Sequence, residues 1–216
     1  MVVNKLLTKV NFTKQKSPRK IKYIVIHYVG ATGGARNNCI YYENVYRGAS
    51  AHYFIGHANE NASIWQCVED NDIAWHCGAK KYYHNECRNS NSIGIELCCH
   101  KDSKGNWYFD NETLDMAVEF VKEKMKEYHI PIENVIRHYD VTRKICPKPF
   151  VQNEKDWINF KRRLIMKEFT DAKEALEYLI EKGRISDKDY WLKTLEVVKQ
   201  QEWIFIKWAN DVMKVE

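Results

Sequence analysis

The stretch Ile21-Lys22-Tyr23-Ile24-Val25-Ile26 decides the class of fold. A short run rich in β-branched and aromatic residues is typical of a buried β-strand. His27 follows directly, and Gly30, Gly33 and Gly34 then predict a loop. A histidine at the end of a buried strand lies where a sheet meets its loops, which is a frequent place for a binding site.

Three further short runs have the same character and are predicted to be strands of the same sheet. They are His52-Tyr53-Phe54-Ile55, Ser63-Ile64-Trp65-Gln66-Cys67-Val68 and Ser92-Ile93-Gly94-Ile95-Glu96-Leu97. Asn59-Glu60-Asn61 predicts a hairpin turn between the first two. Apolar residues at helical spacing predict a helix from about Glu112 to Tyr128. Val135-Ile136 reads as an extended piece, and a helix is expected over Glu154 to Met166. These elements predict an α/β fold, in which helices pack around one sheet.

The composition suits a folded protein with one ordinary domain and a small appendage. The chain has 216 residues, of which 44% are hydrophobic and 29% are charged. No apolar run approaches the ~20 residues that cross a bilayer, so no membrane insertion is expected. The segment from Met1 to Val10 lacks the apolar core of a secretory signal. We therefore expect a protein that is held in the cytoplasm.

Part of the net charge of +5 lies in a basic run from Lys14 to Lys22. The simplest interpretation is a solvated lead-in to the first strand. The alternatives are attraction to nucleic acid or to an acidic cell wall. Nucleic acid is the weaker of the two and is not expected as a partner, because no RNA-binding motif with interleaved aromatic residues accompanies the run.

The seven cysteines argue against a framework of disulfides. Their number is odd, their spacing is irregular, and no Cys-x-x-Cys pair occurs. Most are expected to be small buried hydrophobic residues. Cys146 stands apart because of its neighbours.

Those neighbours form the stretch Arg137-His138-Tyr139-Asp140, followed by Arg143-Lys144-Ile145-Cys146-Pro147. Imidazole nitrogen and thiolate sulfur are ligands that zinc prefers. A loop of this length could return Cys146 beside His138, with Lys144 at the rim of the same site. His27 is the best-placed third ligand. Three protein ligands leave one tetrahedral position open, which is the arrangement of a catalytic rather than a structural zinc.

Hydrolysis at such a site also needs a proton acceptor, and Glu96 is the candidate. It is a carboxylate within an otherwise apolar strand. An unpaired charge that faced the core would destabilise the fold, so Glu96 must face water, a partner or a site. A solvent-facing residue on an alternating strand remains the alternative.

Six segments together resemble the zinc-dependent N-acetylmuramoyl-L-alanine amidases of the type 2 family, which includes phage lysozyme-like amidases and peptidoglycan recognition proteins. The segments occur in family order between about residues 20 and 165, and together they are highly specific. They are Tyr23-Ile24-Val25-Ile26-His27, Ser50-Ala51-His52-Tyr53-Phe54-Ile55, Ile73-Ala74-Trp75-His76-Cys77-Gly78, Asn91-Ser92-Ile93-Gly94-Ile95-Glu96-Leu97, Arg137-His138-Tyr139-Asp140 and Arg143-Lys144-Ile145-Cys146-Pro147. The resemblance implies a single mixed β-sheet flanked by helices.

The resemblance also implies roles for residues and a reaction. Zinc would be held by the three ligands named above, His27, His138 and Cys146. Glu96 would move a proton from water to the leaving amine, and Lys144 would stabilise the oxyanion. The bond cut would be the amide between N-acetylmuramic acid and L-alanine in peptidoglycan. Further residues are expected to bind substrate or to assist, with loop packing as the alternative for the last two: His52, Trp75 and His76.

Without a signal segment, the resemblance points to a phage or prophage endolysin that stays in the cytoplasm until its release and then acts on the cell wall. A cytoplasmic muropeptide-recycling amidase is one alternative. A peptidoglycan-recognition protein without activity is another, ranked lower because Cys146, Glu96 and Lys144 are all retained.

We expect the catalytic domain to cover 1–166 and a small all-helical module to cover 167–216. Asp171 with Glu174 predicts the start of one helix, and Ser186 with Asp189 predicts the start of the next. The helical spacing of Trp191, Leu195 and Val198, and of Trp203 and Ile206, predicts that the tryptophans belong to a core. The module would bind the cell wall or mediate self-association.

Overall fold

The computed structural model of the chain describes residues 1–166, 171–197 and 202–215. The chain divides into two compact units, Met1–Leu164 and Ile165–Glu216. Across the described residues, every helix is too short or too polar to span a membrane.

The first unit is built on a six-stranded sheet, and two further pairs of short strands lie outside it. In chain order the strands are β1 (Val3–Lys5), β2 (Phe12–Thr13), β3 (Tyr23–Tyr28), β4 (Tyr53–Ile55), β5 (Ile64–Gln66), β6 (Ile73–Ala74), β7 (Ser92–Leu97), β8 (His100–Lys101), β9 (Trp107–Tyr108) and β10 (Val135–Arg137). The main sheet has the order β1-β5-β4-β7-β3-β10. Only β4 and β5 pair antiparallel within it, so the sheet is mixed, as predicted.

Eight helices accompany the strands in the described parts of the chain. The first unit contains α1 (Ala35–Glu43), α2 (Asn111–Tyr128), α3 (His138–Thr142), α4 (Lys148–Gln152) and α5 (Glu154–Ile165), and the second contains α6 (Ala172–Glu181), α7 (Lys188–Val197) and α8 (Glu202–Val215). Helices α2 and α5 agree with the predicted spans to within one residue. The α/β fold is therefore confirmed.

The two faces of the central strands have different functions because side chains alternate along a strand. On β3 and β7, residues such as Ile24, Ile26 and Ile95 join the main core with Phe120 of α2 and Phe160 of α5. The opposite face of the same strands presents His27 and, on β7, Ser92, Gly94 and Glu96. One face therefore stabilises the unit, and the other is free to carry polar side chains.

Several local predictions differ from the structure. The segment predicted as a loop after β3 contains helix α1, which begins directly after Gly34. Strand β3 extends through His27 to Tyr28, so His27 lies within the strand rather than after it. The hairpin turn predicted at Asn59-Glu60-Asn61 does join the antiparallel strands β4 and β5, but it contains a 3-10 turn over Ala58–Glu60. All seven cysteines are free and buried, which agrees with the expectation from their spacing.

The second unit has its own small core. The Asp171 carboxylate accepts a hydrogen bond from the Glu174 amide at 2.8 Å and begins α6, as predicted. For α7, the Tyr190 amide donates to Asp187 rather than to Ser186, at 3.0 Å, so the predicted cap is wrong by one residue. The core includes four residues that are almost completely inaccessible to solvent: Ala175, Leu176, Leu179 and Ala209.

The tryptophans of this unit do not all belong to its core. Trp191 is partly buried and packs edge-on against Phe205, with 5.6 Å between ring centroids. Trp203 is 60% exposed and Trp208 is 40% exposed, so the core prediction is wrong for Trp203. The sequence-based expectation for Val198 lies outside the described residues. Helical spacing therefore predicted the core contact of Trp191 correctly and the exposure of Trp203 incorrectly.

Candidate active site

Sheet register brings together three of the predicted site residues. His27 on β3 lies directly opposite Glu96 on the neighbouring strand β7. On the other side of β3, Arg137 of β10 is level with Ile26, so His138 follows at the level of His27. Because all three strands are parallel, their ends meet at one edge of the sheet. A row of two imidazoles and one carboxylate results.

Cys146 completes a group that could hold a metal ion. Its Sγ atom lies 3.6 Å from Nδ1 of His27. Zinc–sulfur and zinc–nitrogen bonds at a tetrahedral angle would separate these two atoms by about 3.5 Å. One potential ligand atom from each of His27, His138 and Cys146 lies within 4.8 Å of the others, and all three residues are buried. The spacing therefore fits three ligands of a single tetrahedral ion.

The hydrogen bonding of His138 gives a second test of that fit. Its Nδ1 atom is buried and has no hydrogen-bonding partner. A buried polar atom in this state requires a reason, such as an ion that the atom would bind. Burial, with a smaller effect of the Lys144 ammonium, lowers the pKa of His138 to about 3. The imidazole is therefore neutral and keeps the lone pair that a metal ligand needs.

The other two residues of this group, His27 and Cys146, have shifted pKa values as well. Burial, followed by the neighbouring His138 and His76, lowers the pKa of His27 well below its ordinary value. Burial, followed by the Glu96 carboxylate, raises the pKa of the Cys146 thiol. A divalent cation reverses this effect, because a coordinated thiol loses its proton. The donor set suits a cation better than an ion pair within the protein.

A short helical turn and its backbone bonds return Cys146 to the site. Helix α3 starts at His138 and ends before Arg143, which adopts a left-handed conformation with φ of 66°. The chain then reverses, and the Tyr139 amide donates to the Cys146 carbonyl at 2.8 Å. The loop predicted from the spacing of His138 and Cys146 is thus closed by the backbone.

Asp140 supports this turn without taking part in the metal group. Its two carboxylate oxygens accept hydrogen bonds from Nε and Nη2 of Arg137 at 3.1 and 3.0 Å. Arg137 also donates to the Phe150 carbonyl at 3.1 Å and to Glu154 at 2.6 Å. The arginine before His138 therefore joins β10 and α3 to the segment that follows Cys146.

A chain of hydrogen bonds fixes the orientation of His27. Its Nε2 lies 3.0 Å from Nδ1 of His76, and Nε2 of His76 lies 3.1 Å from Oγ of Ser92. The Ser92 hydroxyl donates to the Arg88 carbonyl at 2.7 Å, and this carbonyl can only accept. Ser92 must then accept from His76, and His76 must accept from Nε2–H of His27. The Nδ1 lone pair of His27 is therefore free to face Cys146.

The sequence suggested His76 as part of a substrate groove and did not indicate its contact with His27. The sequence feature that could have indicated this contact is the pair of small residues, Ser92 and Gly94, on one face of a buried strand, since they leave room for a ring. A Cβ atom added to Gly94 would lie 2.5 Å from Cγ of His76. Only glycine leaves room for the imidazole at this point, so the two residues depend on each other.

We expect Gly94→Ala to lower the free energy of unfolding by about 1–3 kcal/mol, the usual effect of overpacking a close-packed site. Urea unfolding followed by tryptophan fluorescence measures this change. Gly78→Ala is the matched control, because the nearest atom to its added Cβ is Nδ2 of Asn89 at 3.5 Å. Equal stability of the two variants would contradict the proposed packing.

Glu96 lies beside the group of His27, His138 and Cys146, and its carboxyl group has an unpaired oxygen and a raised pKa. Its Oε1 atom is 4.0 Å from Nδ1 of His27. The other oxygen, Oε2, is buried and has no hydrogen-bonding partner. Burial raises the pKa of Glu96 to about 8, and the positive charge of Lys144 opposes this effect. A carboxyl group of this kind can take up and release a proton near neutral pH.

His52 lies behind the row rather than in the open part of the site. It is completely buried, and its Nδ1 accepts a hydrogen bond from the Gly94 amide at 2.9 Å. Its Nε2 lies 2.8 Å from Nη2 of Arg19 and 3.2 Å from the Asp72 carbonyl. The arginine also donates to the carbonyls of Asp70 and Ser92. The basic run is therefore not only a solvated lead-in, because Arg19 of this run is partly buried and donates to backbone carbonyls.

A groove of about 460 Å³ opens beside the ligand row. Its walls include the aromatic and polar residues Trp75, His76, Asn89, His138, Arg143 and Lys144. Trp75 is fixed by a hydrogen bond from its indole nitrogen to the Thr13 hydroxyl, at 2.9 Å. Lys144 is exposed and lines the groove together with the His138 ligand. The groove offers room for an extended polar ligand next to the metal group.

Residues 17–149 match the family described as N-acetylmuramoyl-L-alanine amidase. The chain belongs to this amidase family. The matched range contains the three potential metal ligands, Glu96 and Lys144. The family predicted from the six sequence segments is therefore confirmed.

Two curated relatives in this amidase family, both from Bacillus, illustrate the similarity. The chain is 29% identical to the N-acetylmuramoyl-L-alanine amidase CwlL of Bacillus licheniformis over 160 residues, which cover 67% of this chain and 41% of the relative. It is 31% identical to the amidase BlyA of Bacillus subtilis over 158 residues, with the same coverage of 67% and 41%. The chain thus spans less than half of the length of these relatives.

Solved structures of similar proteins share the fold. The chain superimposes on PlyL with a TM-score of 0.62 and 26% identity, covering 76% of this chain and 97% of PlyL. A mutant endolysin from Bacillus subtilis gives a TM-score of 0.59 and 25% identity, covering 76% of this chain and 98% of that protein. The amidase fold expected from the sequence is therefore present.

Proposed function

We propose that this protein hydrolyses the amide bond between N-acetylmuramic acid and L-alanine in peptidoglycan, and that it uses zinc to do so. One observation carries the proposal. Three buried ligand atoms of His27, His138 and Cys146 converge beside the carboxylate of Glu96, which has an oxygen without a partner. Membership of the amidase family indicates which amide bond would be cut.

In this proposal His27, His138 and Cys146 hold the zinc ion, and His76 keeps His27 in the required tautomer. Zinc in a site with an open position polarises a carbonyl and makes water nucleophilic near neutral pH. Neutral imidazoles and a buried sulfur suit this ion better than magnesium or calcium, which prefer oxygen ligands. The residues present therefore fit the proposed metal.

Glu96 is proposed to take a proton from the attacking water at a carboxylate oxygen and to give it to the leaving amine of L-alanine. Its carboxylate form is favoured by the Lys144 ammonium, which lowers the pKa of Glu96 against the effect of burial. Lys144 is further proposed to stabilise the negative charge that develops on the carbonyl oxygen. Its place at the groove supports this role.

The remaining predicted site residues have proposed supporting roles. Trp75 forms a rigid wall of the groove and offers an apolar surface to the substrate. His52 binds the amide of Gly94 and so supports the strand that carries Glu96. Its complete burial favours a positioning role over contact with substrate.

Mass spectrometry of digested peptidoglycan tests the proposed reaction. We expect the purified chain to release stem peptides with free L-alanine amino termini and to leave the glycan strands intact. New reducing sugar ends without free amino termini would overturn the proposal in favour of a glycosidase. Walls with different stem peptides would also define which peptide the groove accepts.

We further propose that the biological role is that of a lytic endolysin. The support is the structural similarity to a protein described as an endolysin from Bacillus subtilis. Storage in the cytoplasm until release stays a prediction from the sequence. Lysis of Bacillus cells to which the protein is added externally measures the lytic activity, and walls that stay intact would contradict this role.

The second unit is proposed to bind the cell wall or to associate with a second copy. The support is that three aromatic side chains of this small unit, those of Tyr190, Trp203 and Trp208, are exposed to solvent, since aromatic residues are enriched at binding interfaces. We expect a chain of residues 1–166 to hydrolyse soluble muropeptide normally and to sediment less with whole walls. Equal sedimentation would contradict wall binding, and the mass in solution would then decide on self-association.

A further inference from the structure

A second group of potential metal ligands lies outside the site described above. His57 follows β4, His100 lies on β8, and Asp110 immediately precedes α2. One potential ligand atom from each of the three lies within 4.8 Å of the others. The group contains two imidazoles and one carboxylate and has no thiol, so its donor set differs from that of the first site.

His57 is the residue that requires an explanation. It is only 4% exposed, and neither of its ring nitrogens has a hydrogen-bonding partner. A neutral imidazole carries one donor and one acceptor, so both are left without partners. Buried polar atoms are nearly always paired, and an exception points to an ion or a water molecule at the site.

The neighbours of His57 bring a second imidazole and a carboxylate close to its ring. The ring of His100 stacks on that of His57, with 4.1 Å between centroids and an angle of 28° between planes. Oδ2 of Asp110 accepts hydrogen bonds from Nε2 of His100 and from the Ala58 amide, both at 2.9 Å. A carboxylate that holds one imidazole nitrogen directs the other nitrogen towards a cation. Nδ1 of His100 is then the atom available to the ion.

We propose that His57 and His100 bind a divalent cation of the zinc type, with the charge of Asp110 in support. Two imidazoles with a carboxylate beside them suit zinc, cobalt and nickel better than magnesium or calcium. Because a metal ion lies in the plane of each imidazole that binds it, the stacked ring of His57 must turn out of the stack when the ion enters. The ion would link the loop after β4, strand β8 and the start of α2. It would therefore stabilise the fold rather than take part in catalysis.

Cobalt binding to the full chain tests the proposal, because cobalt replaces zinc and is coloured. We expect the wild-type chain to bind two equivalents of Co²⁺. The equivalent at Cys146 shows a thiolate charge-transfer band, and the second shows only weaker ligand-field bands. His57→Phe, which keeps the ring volume, should remove the second equivalent and leave the charge-transfer band unchanged.

Two further variants keep the test decisive. Asp110→Asn retains a side chain that can begin α2, and it should weaken the second equivalent by about 10–100-fold, as loss of a supporting carboxylate does. His129→Asn removes a histidine at the other end of α2 and should leave both equivalents bound. Binding of fewer than two equivalents by the wild-type chain would overturn the proposal. Two equivalents in His57→Phe would also overturn it.

Thermal unfolding gives an independent measurement. Zinc should raise the Tm of Cys146→Ser, in which the first site is impaired, and should raise it less when His57→Phe is added. If a water molecule rather than an ion occupies the space near His57, zinc will have no effect on Tm that depends on His57. That result would overturn the metal site.

Discussion

Replacing Glu96 by glutamine is expected to lower kcat by a factor of about 10²–10⁴, the usual contribution of a positioned general base and acid. Glutamine has nearly the same volume and retains a polar end, but it cannot take a proton from water. The zinc content per chain should not change, because Glu96 is not among the three ligands of the first site. Release of free L-alanine amino termini at saturating substrate measures the effect.

The control for this prediction is Glu86→Gln. Glu86 is exposed and its carboxylate pairs with Lys22 at 3.4 Å. The substitution removes the same charge from the same chain, and kcat should stay within twofold of wild type if surface charge has little effect. A Glu96→Gln enzyme with wild-type kcat would assign the proton transfer to another group. A loss of zinc in that variant would instead indicate that Glu96 acts through the metal site.

The second large effect is expected when Cys146 is replaced by serine, because this substitution should lower the affinity of the protein for zinc. A neutral hydroxyl is a poor zinc ligand where a thiolate is a good one. The loss in zinc affinity should exceed the about 10–100-fold that removal of an outer supporting residue causes. Activity at limiting zinc should fall in proportion. Competition with a chromophoric chelator measures the affinity, and the same samples give the activity.

Cys99→Ser is the matched control, because Cys99 is also a buried free thiol and lies close to β7. Its Sγ lies 3.7 Å from the Ala31 carbonyl, and it is not a member of the ligand group. We expect wild-type zinc affinity in this variant. If Cys146→Ser and Cys99→Ser bound zinc equally well, Cys146 would not be a ligand.

The sequence predicted those parts of the structure that depend on local pattern. The β-branched run before His27 and the apolar run around Glu96 were recognised as strands, because buried parallel strands are continuous in hydrophobicity. The helix Asn111–Tyr128 was recognised from its apolar stripe. Once β3 and β7 are known to be neighbours, the meeting of His27 with Glu96 follows from register alone.

Other features depend on contacts between distant segments and have no local pattern. The contact of His76 with His27 joins a loop to a strand, and the glycine that permits it resembles any other strand glycine. Arg19 belongs to a run that is typical of solvent-exposed chain, yet its guanidinium donates to three backbone carbonyls, those of Asp70, Asn89 and Ser92. Helix α1 was not predicted, because Gly30, Gly33 and Gly34 directly before it are typical of a loop.

The row of His27, Glu96 and His138 has a consequence for how the protein matures. The strands that position these residues are adjacent in the sheet, although 96 − 27 = 69 and 138 − 27 = 111 positions separate their side chains in the chain. Parallel pairing over such separations forms slowly, because large loops must close first. Cys146 is synthesised last of the three ligands, so a ribosome-bound chain that ends before it has an incomplete ligand set. For the proposed reaction, a complete site therefore arises only after synthesis has passed Cys146 and β10 has joined the sheet.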